Sequence, residues 1–131
     1  MNICVDTNVL VRAIVADDVR QCQAARSLLM QAQEITVSLP CLCELVWVLR
    51  SIKLAKEDIS HALRTLLDAD NVIMNRSAVE YGIVILDAGG DFADGIMAWE
   101  GRTLGAKKFV SFDKKAVALL SQNGHIADLL E

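Results

Sequence analysis

The chemistry open to this chain rests on carboxylates. Asp6 follows the apolar run NICV, Glu44 is the only ionisable residue in PCLCELVWVL, Asp94 stands three residues after Asp91 in DFADGIMAW, and Asp113 ends the run KKFVSFD. Acids that are distant in sequence and meet in a fold repel one another, and a divalent cation removes that repulsion. Mg²⁺ takes oxygen ligands, keeps several waters and is usually held directly by one or two carboxylates. Four acids can therefore hold one ion with an outer shell, or two ions, and either arrangement can activate a water for in-line attack on a phosphodiester. Thr7, Asn8 and Ser111 lie beside these acids in the sequence and are expected to orient them through hydrogen bonds. Asp91 is either a helix cap or an accessory acid, and the cap is the better reading.

Each acid also has an ordinary role open to it. Asp6 and Asp113 can cap the helices that follow them, and Asp94 can be the third helical residue below an Asp91 cap. Glu44 is harder to explain in this way. A helix that is apolar nearly all the way round is expected to be buried, and a buried carboxylate needs a cation, a metal or a proton. Arg12 and Arg50 are the basic residues available to pair with it.

The elements that must position these acids follow from periodicity. NICV at 2–5 reads as a buried strand, with a helix from Thr7 and a second helix over Arg20 to Gln33. The β-branched run ITVS at 35–38 is a second strand, and Pro40 suits the first position of the next helix. Ile59, Ala62, Leu63, Leu66 and Leu67 recur at helical spacing, and Asn71 to Met74 form a third strand. A helix spans Ser77 to about Asp87, Gly89-Gly90 breaks it, and Asp91 caps another reaching about Leu104. Lys108 to Phe112 supply a fourth strand, a last helix starts at Lys114, and a short fifth strand is expected near Ile126.

Strands alternating with helices predict an α/β fold, a mostly parallel sheet covered by helices on both faces with right-handed crossovers. The crevice in such sheets lies beyond the carboxyl ends of the strands, where strand order reverses. Asp6 and Asp113 directly follow strands, while Glu44 and Asp94 lie near helix starts, so all four are expected at that edge.

Composition narrows the class. The net charge is −4, which argues against a protein that coats nucleic acid nonspecifically, since that binding rests on Lys and Arg. It is compatible with an enzyme that gathers acids around a cation. The opening residues lack a secretory pattern and no apolar run approaches bilayer length, so a cytoplasmic protein without a membrane span is expected. Cys4, Cys22, Cys41 and Cys43 sit in apolar sequence, which suits reduced, buried thiols rather than a zinc site.

Taken together, DTNVLVR, ELVWVLR, DFADGIMAW and VSFDKKA resemble the successive signatures of VapC-type PIN-domain toxins, in order and along essentially the whole chain. That resemblance implies a single PIN domain over 1–131, a three-layer α/β/α sandwich with about five mostly parallel strands. It also implies a Mg²⁺- or Mn²⁺-dependent endoribonuclease, the toxin of a type II toxin–antitoxin pair, with Asp6, Glu44, Asp94 and Asp113 as its catalytic, metal-binding acids. Its implied partners are RNA, a VapB-like antitoxin and a second copy of itself. Gly95 departs from the alanine more usual in the family, which bears on local packing.

Arg12, Arg50, Lys53, Arg102, Lys114 and Lys115 are candidate contacts to RNA phosphates, although a solvated face accounts for most of them individually. Trp47 and Trp99 lie in apolar helices and are expected in the core or a dimer interface. A haloacid-dehalogenase-like phosphatase would need a second Asp at position 8, where Asn8 stands. A response-regulator receiver would need an acidic pair before Asp6. The remaining alternative is a non-catalytic binding module of the same fold, with the acidic cluster kept as a structural feature.

Overall fold

The computed structural model describes residues 1–131 and divides into two compact units, Met1–Asn75 and Arg76–Glu131.

In the first unit, β1 (Asn2–Cys4) leads into α1 (Thr7–Ile14) and α2 (Val19–Gln31), then β2 (Glu34–Thr36). The chain continues through α3 (Leu39–Ser51) and α4 (Lys56–Asp68) to β3 (Val72–Ile73). All pairings are parallel in the order β1-β2-β3, with Ile3 opposite Ile35 and Ile35 opposite Val72. Within this sheet strand order does not reverse. The central strand places Ile35 in a core with Leu10, Leu42, Leu45, Leu49, Ile59 and Leu63, each almost wholly removed from water. The side chain of Asn71 donates to the carbonyls of Leu29 and Ala32, both at 3.1 Å, and so ties the end of α2 to the start of β3. Helix α3 ends on a non-glycine residue in the left-handed region, Lys53 at φ 65°, after which the Leu54 N–H returns to the Leu49 carbonyl at 3.0 Å.

Helix α3 differs from the all-round buried rod expected of it. Leu42, Leu45, Val46 and Leu49 are buried, whereas Glu44 is exposed and Trp47 is 69% exposed. The burying stripe recurs at three- and four-residue spacing, and Glu44 and Trp47 share the opposite side. Trp47 is thus no core residue, and Glu44 has no burial to offset. Pro40 takes the second helical position, one later than expected, behind a Ser38 cap.

In the second unit, α5 (Arg76–Asp87) packs on α6 (Phe92–Thr103), followed by β4 (Phe109–Ser111), α7 (Lys114–Gln122) and β5 (Ala127–Leu129). β4 and β5 are parallel, with Phe109 opposite Ala127 and Ser111 opposite Leu129. Ile85, Ala98 and Leu120 form a core against which Tyr81, Phe109 and Ala127 pack. The five strands therefore pair as three and two rather than in one continuous sheet. Period and length identify strands but carry no information on which strand neighbours which, and β3 offers only two residues for pairing.

Candidate functional site

In Met1–Asn75 the register sets the first pair of acids. Cys4 lies opposite Thr36 in parallel strands, so the chain leaves both strands at the same edge. Two residues further on, each segment caps a helix. Asp6 Oδ1 accepts the Asn8 N–H at 3.3 Å at the start of α1, and Ser38 Oγ accepts the Cys41 N–H at 3.2 Å at the start of α3. The two helix starts are joined by the buried hydroxyl of Thr7, which donates to Cys41 Sγ at 3.7 Å. Glu44 follows Cys41 by three residues, about one helical turn, on the same side of α3. Burial pushes the Cys41 thiol pKa up and the Thr7 hydrogen bond draws it down, while the negative charges of Asp6 and Glu44 push it up further. Both carboxylates are therefore close enough to act on one sulfur.

The partners suggested for Glu44 are otherwise engaged or absent. Arg12 pairs with Asp17 at 3.0 Å, and Arg50 forms no ion pair with it. The cysteines form no disulfide, and Cys4 is exposed rather than buried because its side chain falls on an open position of the first strand.

In Arg76–Glu131 the second set comprises Asp91, Asp94 and Asp113. Asp91 caps α6, its Oδ1 accepting the Ala93 N–H at 3.0 Å, in agreement with the cap reading. Asp94 sits in the first helical turn, half-buried. Burial raises its pKa above the usual carboxylate range, and the charges of Asp91 and then Asp113 raise it further. No basic group offsets them. Asp113 follows β4 and caps α7, its Oδ1 accepting from the N–H groups of Lys115 at 2.9 Å and Ala116 at 3.1 Å. Ser111 Oγ accepts the Asp113 N–H at 3.0 Å, fixing the turn between strand and cap.

None of the three residues expected to orient the acids bonds a carboxylate through its side chain. Thr7 reaches Cys41, Asn8 supplies its backbone N–H to Asp6, and Ser111 holds the Asp113 backbone. Within each unit, no three side chains of His, Cys, Asp or Glu are grouped tightly enough to hold a metal ion. Within Met1–Asn75 Asp6 and Glu44 lie about Cys41, and within Arg76–Glu131 Asp94 lies with Asp91 and Asp113. In the sequence Cys41 is marked only as a buried thiol. Its spacing of three from Glu44 is the signal that places it on the acid-bearing side of α3.

Oxygen donors, a half-buried acid and like-charged neighbours suit a hard divalent cation better than a soft one. No helix is long and apolar enough to cross a membrane. No curated protein matches the chain. One protein family does, the PIN domain, over residues 3–119, a span that includes all four expected acids and crosses the boundary between the two units; the chain belongs to the PIN domain family.

Proposed function

We propose that this PIN-domain protein is a Mg²⁺- or Mn²⁺-dependent endoribonuclease, and that Asp6, Glu44, Asp94 and Asp113 supply its metal ligands and catalytic acids. PIN domains are generally metal-dependent nucleases, which gives the reading its class. The observation that carries it further is Asp94, a half-buried carboxylate facing Asp91 and Asp113 with no basic partner. Such an acid is destabilised when ionised, and a cation bound beside it reverses the sign of the effect.

A bound divalent cation would supply charge neutralisation and an acidic water for phosphodiester hydrolysis. The protein's own contribution is positioning. Asp6 and Asp113 are fixed by the helices they cap, and the Thr7–Cys41 bond joins the helix starts that carry Asp6 and Glu44. Ser111 fixes the backbone of Asp113 from the strand before it.

We further propose that the protein acts in the cytoplasm as a single PIN domain with a three-layer α/β/α sheet architecture, as a homodimer and as the toxin partner of a VapB-like antitoxin. Support for a protein partner comes from the first unit. A mostly apolar cleft of about 470 Å³ opens between α1 and α2, lined by Val9, Ala25 and Leu28 and flanked by Asn8 and Arg12.

The test is cleavage of RNA by the purified protein with Mg²⁺ or Mn²⁺, against EDTA and against Asp94→Asn. Cleavage that needs the metal and is lost in the variant is the expected result. Equal inertness of wild type and variant, with no slowing of growth on expression, would favour a binding module instead.

A further inference from the structure

We propose that the cleft between the last turn of α6 and the Lys107–Lys108 approach to β4 is an oxyanion site for a doubly charged phosphate-type group. The cleft holds about 160 Å³ and is lined by Arg102, Lys107, Lys108, Gly124 and His125, among others, with no acid in its wall. It lies within Arg76–Glu131 and runs along α6 from Met97 and Ala98 to Arg102, which stands roughly 12 Å along the helix axis beyond Asp94. Asp91, Asp94 and Asp113 do not line it.

Charge gives the ligand class. The protein as a whole carries −4. Around this cleft, however, three cations face only one acid, because Lys108 Nζ is paired with Asp128 at 2.7 Å while Arg102 and Lys107 have no acidic partner. Two uncompensated positive charges match a dianion.

The arginine is held ready for such a ligand. Its guanidinium lies 5.0 Å from the centre of the Trp99 ring and donates to the Gly124 carbonyl at 3.2 Å, which leaves most of its five N–H donors for a tetrahedral oxyanion. The carbonyls at the end of α6 would oppose an anion, but those of Glu100, Gly101 and Arg102 already accept from Leu104, Ala106 and Gly105.

His125 supplies a second, independent indication. It is 7% exposed, and neither ring nitrogen makes a well-formed hydrogen bond, the Ala98 carbonyl being its one weak polar neighbour. The ring rests against Tyr81 at 4.6 Å and Trp99 at 6.4 Å between centroids. Tyr81 gives its hydroxyl to the Asn123 carbonyl rather than to the imidazole. Burial and the neighbouring Arg102 charge hold the imidazole pKa below its usual value, an effect partly offset by the nearby Ala98 carbonyl. A polar ring so poorly paired in the wall of a basic cleft is costly, and an anion that neutralises Arg102 makes its protonated, donor-only form accessible. The groups facing this ring or the cleft that can carry charge are Tyr81 on α5, Arg102 on α6, Lys107 and Lys108 before β4, and Asp128 on β5.

The chain has only two histidines, so 15N NMR of the full-length protein can follow both rings, with the exposed His61 on α4 as reference. At constant ionic strength, replacing chloride by sulfate should raise the His125 pKa by on the order of half a unit to one unit and leave His61 unmoved. Lys107→Gln, an exposed change that breaks no bond, should remove most of that rise, and Arg102→Gln should remove it too. At pH 7.5, saturation of the His125 response by adenosine 5′-monophosphate at lower concentration than by inorganic phosphate assigns the site to a terminal phosphate of a nucleotide or nucleic acid. The reverse order assigns it to the free anion, and either order supports the site. Equal responses of His125 and His61 to sulfate, or a His125 response undiminished in Lys107→Gln, would overturn it.

Discussion

Gly95 lies against Gly82 so closely that a Cβ placed on Gly95 would stand 2.9 Å from the Gly82 Cα. The contact is reinforced from the other side, because a Cβ on Gly82 would stand 2.7 Å from the Phe92 ring. Two glycines thus let α5 and α6 approach backbone to backbone, and this explains why position 95 carries glycine. A backbone atom cannot swing aside as a side chain can. Gly95→Ala should therefore lower stability by about 1–3 kcal/mol, the usual range for overpacking, as read from a shift in urea midpoint at unchanged slope. A neutral result would mean that the helices separate without cost.

The opposite sign is expected at the end of α3. Lys53 adopts φ 65°, where a Cβ is strained, and its N–H bonds the Arg50 carbonyl at 2.9 Å. Glycine keeps that bond and relieves the strain, so Lys53→Gly should stabilise the protein by about 0.5–1 kcal/mol in equilibrium unfolding. A loss of stability would show that the lysine side chain contributes more than its backbone conformation costs.

Asp94 links stability to pH. Its folded pKa is raised by burial and by Asp91 and Asp113, so the folded state holds its proton more tightly than the unfolded state does. The resulting stability is fully present below the unfolded pKa, about 3.9, and is lost as pH rises through the folded value. In EDTA, Asp94→Asn should consequently melt above wild type at pH 7 and close to it near pH 3. Added Mg²⁺ should invert the order at pH 7, because the wild type gains more by binding the ion in its folded state. Parallel melting curves across pH and metal would refute the assignment of Asp94.

Asp113 separates structure from chemistry. Its carboxylate accepts two backbone N–H groups at the start of α7, and an asparagine can make the same bonds without the charge. Asp113→Asn should melt at or slightly above wild type in EDTA, since it keeps the cap bonds and relieves the repulsion on Asp94, and should lose RNA cleavage, whereas Asp113→Ala should lose cleavage and cost about 1 kcal/mol of stability. Retained cleavage in the asparagine variant would remove Asp113 from the proposed centre.

Much of this was legible in the residues themselves. Apolar period and turn chemistry located all seven helices and five strands to within a few positions, and the caps at Asp6, Asp91 and Asp113 followed from side chains able to accept from free helix N–H groups. What escaped depends on neighbours in space. The apolar residues around Glu44 predict burial for it, because the side of α3 that meets the core is set only in space. Thr7 neighbours Asp6 in sequence, while its hydroxyl turns to Cys41, 34 residues away. Strand partnership was equally hidden, since a run such as ITVS is compatible with several neighbours.

The sheet of the first unit has a further consequence for how the protein is made. Its strands stand side by side in the order in which a ribosome delivers them, with 32 residues from Ile3 to Ile35 and 37 from Ile35 to Val72. At roughly 5–20 residues per second, each new strand emerges about two to seven seconds after the edge it extends. None has to be inserted later between two others, so the nascent chain can assemble this sheet vectorially, outward from its first-made edge.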